Sequence, residues 1–324
     1  MRVLVAGMGS AIGTNIAACL EADPAVTALA GMDLEPPRRF LPTADFHFVQ
    51  PADAARVTKI VTSFKPTIVV HAWVFEPRAR SSPGQARIRT MAGTESLLGA
   101  LRHIDSVERI AVRSGVAIYG RGRASVDEPT VADPPRPTTT FGTMLTRVED
   151  RCRAVADDLG ATTVAVRLAS VMASNLPNPL GRYLRLPVVP TPATTKRFGV
   201  VHLGDAARVV AVAATTSDSI DTPLNVMAAD PVTPLQAVTL GRRAAVPVAP
   251  IAFRAGRLLG EITGTPIPEH VAELLSRGQV VVPTDTDALL GVPLRRSTPD
   301  AITDLYAAGR LITIDVDRLA AGAT

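Results

Sequence analysis

Short apolar runs alternate with amphipathic stretches over residues 2–168, and this alternation restricts the chain to a small set of folds. The apolar runs are rich in Val, Ile and Ala, and they are continuous rather than interleaved with polar residues. They occupy residues 2–7, 26–33, 46–50, 67–72, 109–115 and 162–168. The stretches with helical spacing between them occupy residues 11–23, 53–64, 85–104 and 143–160. Continuous runs are typical of strands buried on both faces. Strands that alternate with helices form parallel sheets through right-handed crossovers, so the sequence predicts a Rossmann-type, doubly wound α/β fold.

The pattern changes in the second half of the chain. Residues 173–197 are rich in Pro and are predicted to be loop, whereas 198–228 return to strand and helix patterns. The remainder is predicted to be helical, with breaks at prolines. We therefore expect an NAD(P)-binding Rossmann domain over residues 1–172, to which 198–228 return. A smaller C-terminal substrate-binding lobe is expected from 173–197 together with 229–324.

Composition and charge narrow the range of partners. Hydrophobic residues make up 47% of the 324 residues, which predicts a well-filled core. The 34 basic and 30 acidic residues leave a net charge of +4, and the basic residues are scattered, so no nucleic-acid partner is expected. The two cysteines form no CxxC motif, no metal-ligand cluster is apparent, and no apolar run is long enough to span a membrane. These features, with no recognisable signal peptide, predict a cytoplasmic protein.

A glycine-rich turn, VAGMGSAIG (5–13), joins the first strand to the first helix. Glycines at this place permit a tight turn and let a pyrophosphate approach the helix N-terminus. Asp33 ends the second strand, where a carboxylate accepts hydrogen bonds from a ribose diol and repels a 2′-phosphate. These features favour NAD over NADP, although Arg38 and Arg39 weaken that preference. The alternative is a tight strand-to-helix turn that binds no ligand.

The chain resembles the extended short-chain dehydrogenase/reductases, also called the NAD-dependent epimerase/dehydratase family. The first loop is similar to the family's GxxGxxG pattern, with Ser10 in place of the middle glycine. Further segments follow in the family's order: VVHAW (69–73), TMAGTESLL (90–98), VRSGVAIYG (112–120), VRLASVMA (166–173), FGVVHLGDAARV (198–209) and LNVMAADPVTPLQ (224–236). The resemblance implies cofactor contacts from Gly7, Gly9, Ser10, Ala11, Ile12, Gly13, Asp33, Ala72, Trp73 and Thr90.

The resemblance also implies a catalytic set that this chain does not carry. In the family a Tyr moves the proton, a Lys four residues later lowers the pKa of that Tyr, and a Ser shares the substrate hydrogen bond. Here FGTMLTRVE (141–149) matches the helix with Phe141 for Tyr and Leu145 for Lys, and Gly115 replaces the Ser. Phe cannot transfer a proton, and loss of such a group costs roughly 10²–10⁴-fold in rate. The chain is therefore predicted to be an atypical member that lacks the standard Tyr–Lys chemistry.

Four polar residues are weak candidates to replace the missing groups, namely Ser114, Tyr119, Thr143 and His71. Each also has a structural interpretation, such as hydrogen bonding at a strand end or helix start. Trp73 is expected to be a packing residue rather than a substrate stacker. The substrate pocket is predicted to be largely apolar and to favour a lipid-like or polyketide-like molecule. Its predicted lining comprises Phe75, Ser114, Phe141, Leu145, Ser170, Met172 and Leu176.

Three functions remain open from the sequence. The first is an atypical NAD-binding oxidoreductase or isomerase that acts on an apolar small molecule. The second is a non-catalytic dinucleotide sensor or scaffold. The third is a fold remnant without dinucleotide affinity, which is suggested by Pro51 and Ala52 where the family has Gly-Asp. The resemblance also implies a possible homodimer through helices 85–103 and 141–159.

Overall fold

A seven-stranded parallel sheet forms the centre of the molecule. The computed structural model describes residues 1–77, 82–122, 125–174, 176–218, 220, 222–249, 253 and 267–307. The strands of the sheet are β1 (Arg2–Ala6), β2 (Ala28–Asp33), β3 (Ala44–Phe48), β4 (Ile68–His71), β5 (Arg109–Gly115), β6 (Thr162–Leu168) and β10 (Leu224–Val226). Their order across the sheet is β10-β6-β5-β4-β1-β2-β3, and every pairing is parallel. The predicted Rossmann-type fold is confirmed. Its strand order reverses beside β1, which opens a crevice at the carboxyl ends of the strands.

Helices cover both faces of this sheet. One face carries α1 (Ala11–Glu21) and α6 (Leu203–Thr215), which pack against each other. The other face carries α2 (Ala54–Phe64), α3 (Pro83–Leu101) and α4 (Thr140–Leu159). A separate cluster of buried apolar side chains fills the space between the sheet and each helical layer. This double burial is the physical reason for the continuous apolar strands.

The helix boundaries follow from local capping chemistry. The α3 helix starts with a capping box in which the Ser82 hydroxyl accepts from the Gln85 N–H and the Gln85 side chain accepts from the Ser82 N–H. Pro83 fits the first turn, where its missing N–H leaves no bond unmade. The α4 helix starts at a Thr139 cap and ends at Gly160 in a left-handed conformation.

The C-terminal part of the chain adds a third apolar cluster beside the sheet's carboxyl edge. The helices and strands of this part of the chain are α5 (Pro179–Leu184), β8 (Val188–Pro192), α7 (Pro234–Leu240), β11 (Ala244–Val248), α8 (Glu269–Arg277), α9 (Thr286–Leu290) and α10 (Thr298–Ala307). Among the described residues, two short pairs of parallel strands lie outside the main sheet. They are β8 with β11, and β7 (Ser170–Met172) with β9 (Val200–His202).

Two sequence predictions in this part were wrong. The segment 173–197 is not all loop, because Asn178 caps a short helix that has Pro179 in its first turn, and a strand follows. The remainder is not purely helical, because 244–248 form a strand that pairs with 188–192. Prolines are compatible with both strands because each has only one neighbour, so part of its backbone needs no partner. None of the described helices is long and apolar enough to cross a membrane.

Candidate functional site

A cleft of about 220 Å³ lies at the carboxyl edge of the sheet. Its floor comes from the glycine turn, the end of β2 and the ends of β5 and β6. The segment 176–180 and helix α8 close the opposite side, so the cleft runs between the sheet and the C-terminal part of the chain. This is the place where open α/β sheets bind ligands.

The glycine turn is shaped by close backbone packing. Gly7 has φ +94°, and a Cβ at this residue would lie 2.6 Å from the backbone of Ala72. A Cβ at Gly9 would overlap the Glu35 carbonyl, and one at Gly13 would overlap the Gly7 carbonyl. Each of these three positions therefore requires glycine.

The start of α1 offers an anion site. Ala11 and Ile12 line the cleft, and as first-turn residues their N–H groups have no partner within the helix. The helix dipole adds positive potential at this end. Ser10 lines the cleft as well, but its hydroxyl donates to the Gly7 carbonyl at 2.9 Å and accepts from the Gly13 N–H at 3.0 Å. Ser10, which stands where the family has a glycine, therefore caps α1, and its hydroxyl makes both of these hydrogen bonds within the turn.

Asp33 lies at the end of β2 and lines the cleft. Its Oδ2 accepts from the Gly9 N–H at 3.0 Å, and its Oδ1 accepts from the Leu34 N–H at 2.7 Å and from the Trp73 indole at 3.3 Å. Burial raises the pKa of this carboxyl, and hydrogen bonds from Leu34, Trp73, Gly9 and Ser10 oppose that rise. Oδ2 keeps capacity for a further donor, such as a ribose hydroxyl.

Five of the predicted cofactor residues do not line the cleft, and their contact with a cofactor stays a prediction. Ala72 and Trp73 are buried in the core, and the Trp73 indole packs against Gly93. Thr90 is buried too, and its hydroxyl accepts from the Phe75 N–H at 2.9 Å, which fixes the loop after β4. Gly7 and Gly13 also lie behind the cleft surface, where they shape the turn. The expectation that Trp73 is a packing residue agrees with its burial.

The three positions that the resemblance matches to the catalytic set lie close to one another. Phe141 and Gly115 line the cleft, and Phe141 is half-buried. Leu145 does not line it, because its side chain is 1% exposed and packs over Gly115, where a Cβ would lie 3.2 Å from the leucine Cδ1. The small residue at 115 and the apolar one at 145 thus fit each other.

Ser114 and Tyr119 belong to a buried polar network. The Ser114 hydroxyl donates to the Glu149 carboxylate, and Arg167 donates to the same carboxylate, at 2.8 Å from its Nη2. Arg167 also donates to the Tyr119 hydroxyl at 2.8 Å, which in turn donates to the Asn225 side chain at 2.8 Å. Ser114 lines the cleft, whereas Tyr119 lies beneath it. This network gives both residues a structural role.

The other two candidates lie away from the cleft surface. The Thr143 side chain is exposed on α4 and donates to the Thr139 carbonyl at 3.0 Å. His71 is fully buried with its Nε2 2.8 Å from the Thr94 hydroxyl. Burial lowers the pKa of His71 to about 4. Neither residue lines the cleft in the structure.

An imidazole that the sequence did not point to lies against Phe141. The His270 ring, from α8, has its centroid 4.5 Å from that of Phe141, with 31° between the ring planes. Its Nε2 is 3.0 Å from the Glu76 carboxylate, and both residues line the cleft. Glu76 and His270 are 194 positions apart, so no motif spacing connects them. The one sequence feature that pointed toward this pair was the position of Glu76, a few residues after the end of β4.

Two carboxylates of α8 hold this helix against α4. Glu269 accepts from the Thr140 N–H at 3.1 Å, which satisfies a free donor in the first turn of α4. Glu273 accepts from the Thr138 hydroxyl at 2.7 Å. His270 follows Glu269 directly, so these contacts seat the imidazole over Phe141.

The predicted substrate pocket is brought together in large part. Phe75, Ser114, Phe141, Ser170 and Leu176 line the cleft. In a correction to the prediction, Leu145 and Met172 do not. Met172 is fully buried in the third apolar cluster, where its sulfur accepts from the Asn178 amide at 3.5 Å. The lining is also more charged than expected and includes Asp33, Glu35, Arg38, Glu76, Arg89 and Arg113.

Comparison with known proteins establishes the family. The model of the NAD dependent epimerase/dehydratase family matches residues 3–228, and the chain belongs to this family. The family is named for its dependence on NAD, so the expectation of NAD from the glycine turn and Asp33 is confirmed for the family. The members that give the family its name are enzymes. No curated protein matches the sequence.

Solved structures share the fold over nearly the whole chain. UDP-glucose 4-epimerase from Thermus thermophilus, in complex with NAD, has a TM-score of 0.73 at 22% identity, with 96% of this chain and 100% of that chain covered. UDP-glucuronic acid 4-epimerase from Bacillus cereus, in complex with NAD, has a TM-score of 0.71 at 15% identity, with 95% and 98% covered. UDP-glucose 4-epimerase from Brucella ovis, in complex with NAD, has a TM-score of 0.72 at 18% identity, with 95% and 98% covered. These likenesses support the fold.

Proposed function

We propose that this protein is an atypical NAD-binding oxidoreductase or isomerase whose proton transfer is carried out by His270 and Glu76 instead of a Tyr–Lys pair. The observation that carries the proposal is the contact of the His270 ring with Phe141, in a cleft that also contains the glycine turn. An ionisable group thus lies beside the position where the family's Tyr is absent.

The residues at the glycine turn fit a dinucleotide. The first-turn N–H groups of Ala11 and Ile12 would hold the pyrophosphate, and the Asp33 Oδ2 would accept from a ribose hydroxyl. The fit rests on the observed close packing of Gly9 against the Glu35 carbonyl, which keeps the turn tight. When bound, NAD supplies the hydride acceptor. The negative charge of Asp33 disfavours the 2′-phosphate of NADP.

The His270–Glu76 pair suits proton transfer. If Nε2–H donates to Glu76, as the 3.0 Å separation allows, Nδ1 carries the lone pair and acts as the base. Glu76 then fixes the tautomer and stabilises the imidazolium that forms, in the role a carboxylate plays behind a catalytic histidine. A protonated His270 serves as the acid in the reverse direction.

The substrate we propose is a small molecule with a mainly apolar body. Phe75, Phe141 and Leu176 provide apolar lining within reach of the same part of the cleft. A bound nucleotide sugar in the cleft of this protein would contradict this proposal.

The first experiment separates binding from turnover. Trp73 is the only tryptophan, and its indole donates to Asp33, so its emission should respond to NADH at the glycine turn. Turnover is followed by the absorbance of NADH over a panel of apolar ketones and alcohols. We expect His270→Gln to lower the rate roughly 10²–10⁴-fold while NADH affinity stays unchanged. His103→Gln, at an exposed histidine, is the matched control. A fully active His270→Gln enzyme would overturn the assignment.

A second function, a dinucleotide sensor or scaffold, is favoured by one specific observation. Leu145 packs over Gly115, at two of the positions that the resemblance matches to the family's catalytic set, and neither side chain can carry a proton. A sensor binds NAD and NADH without interconverting them and changes its affinity for a partner. Saturable Trp73 quenching with no turnover over the whole panel would favour this function over the enzyme.

The organisation of the chain into units is part of the proposal. Residues 1–172 with 198–228 would bind the dinucleotide, and 173–197 with 229–324 would supply the substrate side. Self-association, where it occurs, would use the outer faces of α3 and α4.

A further inference from the structure

Arg113 is a half-buried cation with unused hydrogen-bonding capacity inside the cleft. It lies on β5 beside Ser114 and lines the cleft. Its Nη1 donates to the Val74 carbonyl at 3.2 Å. Its Nε is buried and has no hydrogen-bond partner among the residues that the structure describes. A guanidinium has five donors, and the hydrogen bond to Val74 is the one that the described residues provide.

Few charged groups of the described residues bear on Arg113. Glu76 is the described acidic group that acts on Arg113, and it raises the pKa that burial lowers. However, Glu76 is paired with His270 at 3.0 Å. Arg89 lines the same cleft and adds a further positive charge. A guanidinium remains protonated in proteins, and a poorly solvated cation is stabilised by a bound anion.

We propose that Arg113 binds the carboxylate of the substrate, so that the class of substrate is a small apolar carboxylic acid. The planar guanidinium matches a carboxylate in a two-bond geometry that a neutral polar group cannot reproduce. Phe75 and Phe141 line the cleft as well and provide apolar surface for the body of the acid. The reacting carbon would then lie near the His270 imidazole. That the bound acid is a substrate rests on the proposed function. That Arg113 binds a carboxylate is tested by a binding measurement alone.

The experiment is calorimetric titration of the full chain with phenylacetate and, as the uncharged match, phenylacetamide. We expect phenylacetate to bind more tightly than phenylacetamide. Arg113→Gln should weaken phenylacetate binding about 10- to 100-fold, the usual worth of charged hydrogen bonds, and leave phenylacetamide unchanged. Arg38→Gln removes the same charge at the glycine-turn end of the cleft and should leave phenylacetate binding intact. Arg113→Lys keeps the positive charge but not the planar guanidinium, so its affinity for phenylacetate should lie between those of the wild type and Arg113→Gln.

Three results would overturn the proposal. One is that the wild-type protein binds phenylacetate and phenylacetamide with equal affinity, or that it binds neither of them. Another is wild-type affinity for phenylacetate in both Arg113 variants. The third is a loss of NADH affinity in Arg113→Gln with phenylacetate binding unchanged, since the anion of Arg113 would then be a cofactor phosphate. Failure of the proposed function has a different signature, because phenylacetate would still bind through Arg113 while no NADH is oxidised.

Discussion

At the scale of single residues, His71 shows how burial selects a protonation state. The Thr94 hydroxyl donates to the Thr90 carbonyl at 2.9 Å, so it must accept from the Nε2–H of His71. Nδ1 then carries the lone pair, and it is buried without a hydrogen-bond partner among the described residues. Protonation of Nδ1 would place an unpaired charge in the core, which is why burial lowers the pKa of His71 to about 4.

This pKa predicts how stability depends on pH. His71 binds its proton near pH 6.5 in the unfolded chain and near pH 4 in the folded chain. The contribution of His71 to the free energy of unfolding is therefore complete above pH 6.5 and is lost as the pH falls toward 4. The loss amounts to about 3 kcal/mol. Urea unfolding at several pH values should show this slope, and His71→Gln should flatten it. His103→Gln, at an exposed site, should keep it. An unchanged slope in His71→Gln would contradict the assignment.

Leu145 predicts the cost of restoring the family's lysine. The side chain is 1% exposed and packs over Gly115, so Leu145→Lys places a charge in an apolar environment. We expect the free energy of unfolding to fall by about 2 kcal/mol or more. Phe141→Tyr is the comparison, because this half-buried ring lines the cleft and should cost less than about 1 kcal/mol. Denaturant titration measures both, and an equal cost in the two variants would contradict the packing argument.

Sequence alone identified the residues that line the glycine turn but not all of their roles. Ser10 was expected to be available to a phosphate, whereas its hydroxyl caps α1. Trp73 was placed at the cofactor, whereas its ring is buried and its indole binds Asp33. The position of His270 in the cleft could not be predicted from the sequence, because its contacts with Phe141 and Glu76 form only in the folded chain.

At the scale of elements, one buried ion pair joins α4 to the sheet. Glu149 on α4 and Arg167 on β6 are 3% and 4% exposed at their side chains, with 2.8 Å between Oε2 and Nη2. Ser114 on β5 donates to the same carboxylate. These contacts fix the position of α4 relative to the strand ends that line the cleft. Removal of one partner of such a pair leaves an uncompensated charge.

We therefore predict that Glu149→Gln lowers the free energy of unfolding by about 3–5 kcal/mol. Glu95→Gln is the matched control, because Glu95 pairs with Arg151 between α3 and α4 at 2.6 Å but both side chains are nearly half exposed. That exposed pair is worth about 0–1 kcal/mol. Thermal and urea unfolding of both variants provide the comparison. Similar losses in the two would show that burial does not set the strength of these pairs.

The regular elements were predictable where burial repeats with a clear period. Continuous apolar runs gave the strands of the main sheet, and helical spacing gave the helices packed on it, with ends shifted by a few residues. The short elements at 179–184, 188–192 and 244–248 were not predicted. Their prolines are also typical of loops, and the two strands among them pair with each other across a long stretch of sequence.

At the scale of the whole molecule, the outer face of α3 and α4 is the surface through which we proposed that copies could associate. It carries two exposed ion pairs between the helices, Glu95–Arg151 and Arg102–Asp158. Ile88 on α3 is 65% exposed. Obligate homodimers bury apolar surface, and this face offers little of it.

Self-association through this face is accordingly predicted to be weak. Light scattering at micromolar concentration should give the mass of one chain at both low and high salt. A dimer that resists high salt and separates on Ile88→Asp would contradict this prediction and would support pairing through α3 and α4. A dimer unaffected by that substitution would place the interface elsewhere on the molecule.

The position of α8 over the cleft is the part of the architecture that sequence could not give. The alternation of strands and helices predicts a doubly wound parallel sheet, and such sheets bind ligands at the carboxyl ends of their strands. Which later segment covers the crevice depends on the contacts of Glu269 and Glu273 with the start of α4. These contacts join residues more than a hundred positions apart.

Because Phe141 and His270 come from segments far apart in the sequence, the catalytic site that we propose exists only while α8 stays docked. Heating should therefore abolish activity before it melts the parallel sheet, since the hydrogen bonds that hold α8 are partly exposed whereas the sheet is buried on both faces. Inactivation would then be rapidly reversible on cooling, and the temperature range of function would be set by a few side chains at the edge of the fold.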